Sequence, residues 1–237
     1  LGGYHVARKL TDMPNTKLGQ LFGQLPLAAF ARLQDRPEAL RRALRESLGM
    51  MLRVTVPGFV LLAVVAPEFV GVVLGPHWLS IAPLIGVLAW AMPLRLVLAI
   101  STQALNAIGR PAIGALANGL LSLAVAAGAF LAAPFGLVTI AGAVAVAYIA
   151  ATLIALGIAG RHTGFGPLAL AGILWRPLVA ASVMAGVVAS TRLLLPQAAT
   201  DWQVLATLLV VAAPAYAGPL LLVDRRGVRE TVRFLRS

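Results

Sequence analysis

The chain has 237 residues, 60% of them hydrophobic and 11% charged, with a mean hydropathy of +0.92; soluble globules carry about 45–50% apolar and about 25% charged residues, so that class is excluded. Its 19 Lys and Arg against 8 Asp and Glu leave a net charge of +11, which would point to nucleic acid in a soluble domain but encodes orientation when it flanks apolar helices. No cysteine is present, which excludes disulfides, thiolate metal sites and thiol catalysis.

The opening Leu1-Gly2-Gly3-Tyr4 has no initiator Met, no charged run leading into a short apolar stretch and no small-residue cleavage site. It is expected to continue a longer membrane protein and not to be a signal peptide. The first long segment, near residues 4–30, contains Arg8, Lys9, Asp12 and Lys17. Such a segment spans a membrane only if its polar side faces protein or water instead of lipid. Gln34-Asp35-Arg36-Pro37-Glu38 then breaks the chain, and Ala39–Glu46 reads as a basic amphipathic stretch.

Six stronger apolar stretches follow, near residues 48–66, 81–108, 112–133, 137–160, 177–195 and 202–223. Each approaches the roughly 20 residues that cross a hydrocarbon core of about 30 Å. Between the first two, Phe69–Leu74 suits a short helix at the interface. Turns are expected at Gly75-Pro76-His77-Trp78, Asn106–Pro111, Pro134-Phe135-Gly136, Arg161–Gly166 and Pro196–Asp201. Residues 224–237 form a basic tail. The fold class is an all-α polytopic membrane bundle of about seven transmembrane helices, and no loop is long enough for a separate domain.

The bases alternate along this plan. Arg32, Arg36, Arg41, Arg42 and Arg45 lie before the first strong span; Arg110, then Arg161 and Arg176, lie in alternate connectors; Arg225, Arg226, Arg229, Arg233 and Arg236 lie in the tail. The connectors around Glu68, Pro134 and Asp201 hold no Lys or Arg. This satisfies the positive-inside rule with a cytoplasmic C-terminus and removes the need for nucleic acid.

Arg8, Lys9, Lys17, Arg53, Arg95 and Arg192 remain. Arg53 and Arg192 lie near the ends of their spans, where they are expected to snorkel to headgroups. Arg95 is about 21 Å into its helix at 1.5 Å per residue, near mid-membrane, where a cation costs about 2.5–3.5 kcal/mol and needs a cavity or a partner. At about 100° per residue, Arg95, Thr102 and Asn106 share one stripe with Gln103 on its flank. Tyr4, Arg8, Thr11, Asp12 and Asn15 share another, and Pro14 and Pro93 permit kinks beside them. Either Arg8 pairs with Asp12 at i,i+4 while Arg95 pairs with an acid in the missing part of the protein, or the surplus cations line a cavity and bind an anionic headgroup. Phosphate suits that second role, because guanidinium matches it in bidentate geometry.

Asn118 and Ser122 read as interhelical hydrogen bonds, and the small residues of Gly136–Gly160 as packing. Trp78, Trp175 and Trp202 suit an aromatic belt. His5, His77 and His162 are scattered, and neither a metal-ligand cluster nor a nucleophile-base pair is apparent. No enzyme activity, metal or cofactor is expected.

Tyr4-His5-Val6-Ala7-Arg8-Lys9-Leu10, Pro14 and Phe30-Ala31-Arg32-Leu33-Gln34-Asp35 resemble a block of the polysaccharide flippases of the multidrug/oligosaccharidyl-lipid/polysaccharide exporter superfamily. The likeness continues in order through Ala66-Pro67-Glu68-Phe69-Val70, Leu74-Gly75-Pro76-His77-Trp78, Ala82-Pro83-Leu84 and Asn106-Ala107-Ile108-Gly109-Arg110-Pro111. Two positions depart from the family pattern: Leu27-Ala28 stand where Phe-Pro is usual, with the proline displaced to Pro26, and Ala112 stands where an acid often follows Gly-Arg-Pro. The resemblance implies 12 to 14 helices in two lobes, of which residues 1–237 would form the C-terminal lobe.

It further implies a bacterial inner-membrane transporter that moves a polyprenyl-diphosphate-linked oligosaccharide between leaflets for lipopolysaccharide or exopolysaccharide biosynthesis. Arg95 and Arg8, with Lys9, Gln103 and Asn106 as lesser candidates, are expected to hold the substrate, and Asp12 to be available for ion coupling. Expected partners are the lipid-linked oligosaccharide, membrane lipid, an N-terminal lobe and polysaccharide polymerase and export machinery, without nucleic acid. The rival readings are a multidrug cation antiporter, which would need acids in its cavity, and a membrane polymerase or scaffold. One lobe has no complete cavity, so the 237 residues alone are expected to be inactive.

Overall fold

The computed structural model describes residues 5–12, 30–195, 200–224 and 227. Residues 5–12 form helix α1, followed by α2 (Pro37–Val64), α3 (Ala66–Val73), α4 (Ala82–Ala107), α5 (Pro111–Ala132), α6 (Leu137–Thr163), α7 (Pro167–Leu194) and α8 (Asp201–Val223). Short 3-10 turns, Pro76–Ile81 and Ala133–Phe135, precede α4 and follow α5. Most helices start with proline in the first turn, where its missing N–H costs nothing and its fixed φ suits the helix.

Six stretches among the described residues are long and apolar enough to cross a membrane: Pro37–Val64, Pro76–Ala107, Pro111–Phe135, Leu137–Thr163, Pro167–Leu194 and Asp201–Val223. The expected first span, near residues 4–30, lies largely outside the described residues. Two boundaries move. Ala39–Glu46 is continuous with the span after it, because its buried Leu40, Leu44 and Leu48 extend the apolar face of α2 under the exposed arginines. Likewise α7 begins at Pro167 and runs through Pro177, so the stretch holding Trp175 and Arg176 is helical.

The helices pack as two groups, α2 with α7 and α8, and α4 with α5 and α6, joined by α2 against α4. Two apolar cores result. One gathers Leu48, Met51, Leu52, Val56, Ala181, Met184 and Val188; the other gathers Ala7, Leu84, Ile85, Leu88, Ala141, Val144 and Ala155. Helix α4 serves both, with Val97 and Ile100 facing the first and Leu98 the second. Its contact with α5 is close: a Cβ on Gly114 would sit 2.6 Å from Thr102 Cγ2, so only glycine fits there.

The basic connectors meet at one end of the bundle. Arg110 Nη1 lies 2.9 Å from His162 Nδ1, and the Arg41 side chain rests on Gly164, whose φ of 68° closes α6 in the left-handed conformation. At that end Asp224, 5% exposed, accepts from Arg53 Nε at 2.8 Å and Arg176 Nη1 at 2.9 Å. At the other end Arg192 Nε meets Glu68 Oε1 at 2.8 Å, with Glu68 7% exposed. The expectation that Arg53 and Arg192 snorkel to headgroups is therefore corrected, since each is held by a buried carboxylate from a distant helix. Releasing either arginine to a headgroup would leave a nearly dry carboxylate uncompensated, which is costly.

Candidate functional site

Arg95 stands at the middle of the 26-residue α4, two positions after Pro93. Its Nη1 donates to Asp12 Oδ1 on α1. The other oxygen of that carboxylate, Oδ2, lies 3.6 Å from Arg8 Nε. One acid is thus shared between two guanidiniums, so that among the described residues of this cluster the cations outnumber the acids. The Arg95 guanidinium also lies 5.9 Å from the ring centroid of Tyr148 on α6, within the roughly 6 Å at which the ring face attracts a cation. Arg8 and Asp12 pair as one expected arrangement had it, whereas the acid on Arg95 is this same Asp12 and not one from outside these residues.

These groups border a cavity of about 650 Å³ between α1, α4, α5 and α6. Arg8, Arg95, Tyr148, Asn118 and Ser122 form its polar lining; Leu98, Leu121, Val125 and Val144 form its apolar walls. A guanidinium has five N–H donors and one carboxylate cannot use them all. The cavity can accordingly accept an anionic group on Arg8 and Arg95, hydroxyl-bearing groups on Asn118, Ser122 and Tyr148, and hydrocarbon along its walls.

The other sequence candidates lie apart from that lining. Lys9 is exposed and, like Gln103 and Asn106, does not border the cavity. The α4 stripe divides: Arg95 turns to α1 and α6, whereas Thr102 packs on α5, with Asn118 Nδ2 donating to its Oγ1 at 3.4 Å. Gln103 Oε1 is buried with no hydrogen-bond partner among the described residues. On α1, Thr11 is buried and donates to the Ala7 carbonyl, so it is spent within its own helix. Tyr4, Asn15 and Lys17 lie outside the described residues.

Sequence reasoning passed over Tyr148 and assigned Asn118 and Ser122 to interhelical hydrogen bonds. Asn118 makes one, to Thr102 on α4, but its bond to the Gly114 carbonyl and that of Ser122 to the Asn118 carbonyl stay within α5, and both side chains line the cavity. Their signal was present: two polar residues at i,i+4 on a helix otherwise built from small and apolar residues.

Residues 1–83, which include Arg8 and Asp12, match a family described as "Polysaccharide biosynthesis protein". Over 96 residues, 40% of this chain and 20% of the relative, the chain is 33% identical to the lipopolysaccharide biosynthesis protein WzxC of Escherichia coli (strain K12). It is 28% identical over 97 residues, 41% of this chain and 20% of the other, to an uncharacterized membrane protein in the cps region of Klebsiella pneumoniae. The fold matches the lipid II flippase MurJ in its inward closed conformation, with a TM-score of 0.76 over 94% of this chain and 47% of that one, at 12% identity.

The chain has the fold of part of that protein. Sequence similarity thus links residues 1–83 to polysaccharide biosynthesis proteins, and fold similarity links the bundle to about half of MurJ. The matched segment spans a fifth of the curated relatives' length, and the fold match spans just under half of the flippase chain.

Proposed function

We propose that the full-length protein carries a polyprenyl-diphosphate-linked oligosaccharide from the inner to the outer leaflet of a bacterial inner membrane by alternating access, with its C-terminus in the cytoplasm. The observation that carries this reading is the shared carboxylate: Arg8 and Arg95, from two helices, border one cavity, and Asp12 is the acid between them among the described residues. Cations are expensive at that depth, and a polyanionic diphosphate is the ligand class that best matches two guanidiniums.

Asp12 holds Arg95 while the cavity is empty of substrate, and the phosphate takes that place when it enters. Release of Asp12 loosens α1 from α4, so occupancy alters how a peripheral helix is tethered. The sugars lie against Asn118, Ser122 and Tyr148, the prenyl tail stays in the bilayer, and a second lobe supplies the opposite wall. A cation antiporter would require surplus acid here, where the surplus is basic.

The test is surface polysaccharide in cells carrying the full-length protein at matched abundance. Arg95→Ala lowers export about tenfold or more, the scale of one lost charge-assisted hydrogen bond, and Arg95→Lys retains part of it. Normal export from both variants overturns the reading.

A further inference from the structure

At the end of the bundle that gathers the basic connectors, two adjoining cavities of about 360 and 250 Å³ open between α2 and α7. Arg42 and Arg45, at i,i+3 on one face of α2, line both. Arg176 borders the second; its Nη1 is bound to Asp224, and its Nε is buried with no acceptor among the described residues. Among the described residues the acids nearby are Glu38, Asp224 and Glu46. Glu38 pairs with Arg41 at 3.3 Å, Asp224 is taken by Arg53 and Arg176, and Glu46 lines the second cavity without an ion pair among the described residues. Neither Arg42 nor Arg45 forms an ion pair among those residues.

Bases that encode orientation alone need only reach water. These instead line a concavity in which, among the described residues, two cations have no ion pair and a buried donor has no acceptor. Its depth is that of headgroups: Arg42 and Arg45 precede the wholly apolar part of α2, and Trp175, 48% exposed, lies beside Arg176 with the guanidinium 5.5 Å from its ring centroid. Ile173 and Ala169 supply apolar lining toward the bilayer.

We propose that this groove is a binding site for the phosphate of an anionic phospholipid headgroup, with Arg42, Arg45 and Arg176 as donors. Basic pockets between transmembrane helices at a membrane surface have this chemistry. The site is separate from the Arg8–Arg95 cavity and does not depend on what that cavity carries. A lipid held here bridges α2 and α7 at the edge of the bundle.

The test uses the full-length protein, purified from membranes and exchanged into phosphatidylcholine with and without phosphatidylglycerol, with retained lipid counted by native mass spectrometry. Arg42→Ala with Arg45→Ala lowers retained phosphatidylglycerol about tenfold, while Arg110→Ala, which removes a charge from the same end, leaves it unchanged. Arg45→Gln alone, at an exposed position, gives a partial loss and serves if the double variant fails to fold. Equal retention in the Arg42 and Arg45 variants overturns the site, and equal loss in Arg110→Ala reduces it to diffuse charge. Displacement of the lipid by inorganic phosphate at matched concentration overturns the lipid assignment in favour of a soluble anion.

Discussion

Asp12 on α1 and Arg95 on α4, 83 positions apart in the chain, are joined by a direct charged hydrogen bond beside the cavity. Arg8, one turn before Asp12, competes for the same carboxylate. Loss of Asp12 therefore leaves two guanidiniums facing each other's field as well as unpaired. Asp12→Asn is expected to destabilise the protein by about 1–3 kcal/mol, read as thermal unfolding in detergent. The double variant Asp12→Asn/Arg95→Gln should cost less than the sum of its parts, as contacting residues do. Strict additivity would show that the pair carries no coupling.

Tyr148 offers Arg95 its ring face, an interaction that does not need the hydroxyl. Tyr148→Phe should keep Arg95 in place and retain most export, with any loss confined to the hydrogen bond that the hydroxyl gives to substrate. Tyr148→Leu removes the face and should lower export severalfold further at equal protein abundance. Indistinguishable Phe and Leu variants would show that the ring is only filling space.

Gly114 has no room for a side chain beside Thr102. Gly114→Val is expected to push α5 from α4 and cost about 1–3 kcal/mol, the usual range for overpacking. Thr102→Ser, which removes the obstructing methyl, should recover much of that loss in the same melt. A Gly114→Val protein as stable as the parent would mean that α5 yields freely.

The Asp224 pairs and the Glu38–Arg41 pair contrast in burial, 5% exposure for Asp224 against 81% for Glu38. Breaking a buried pair from one side costs about 3–5 kcal/mol, whereas an exposed one is worth about 0–1 kcal/mol. Asp224→Asn should thus sharply lower folded abundance in membranes, and Glu38→Gln should leave it unchanged. Equal abundance of the two variants would contradict the role of Asp224 as a buried anchor.

The helices were legible because each span is a long apolar run, and the turns because proline and glycine punctuate them. Boundaries slipped at α2 and α7, where arginines on the solvent side lower the local hydropathy while buried Leu40, Leu44 and Leu170 continue the inner face. Arg95 was identified from its depth alone, since depth is a property of one helix. Its partner, and those of Arg53 and Arg192, were not deducible: Arg53 and Asp224 are 171 positions apart, and nothing local in either neighbourhood announces the other. Tyr148 was missed for the same reason, because its contact with Arg95 depends on how α4 and α6 are set against each other.

Helix α7 is pinned at two points, by Arg176, nine residues after its start, to Asp224 and by Arg192, in its last turn, to Glu68. These anchors are sixteen positions apart, about 24 Å along a helix, on opposite sides of the apolar layer. Sliding α7 along its axis would break one pair or the other, and tilting it would strain both. The α2, α7 and α8 group is consequently expected to be the rigid part of the bundle. On the proposed function, a displacement that opens or shuts the cavity would fall to α1, α5 and α6, whose hold on that frame runs through α4.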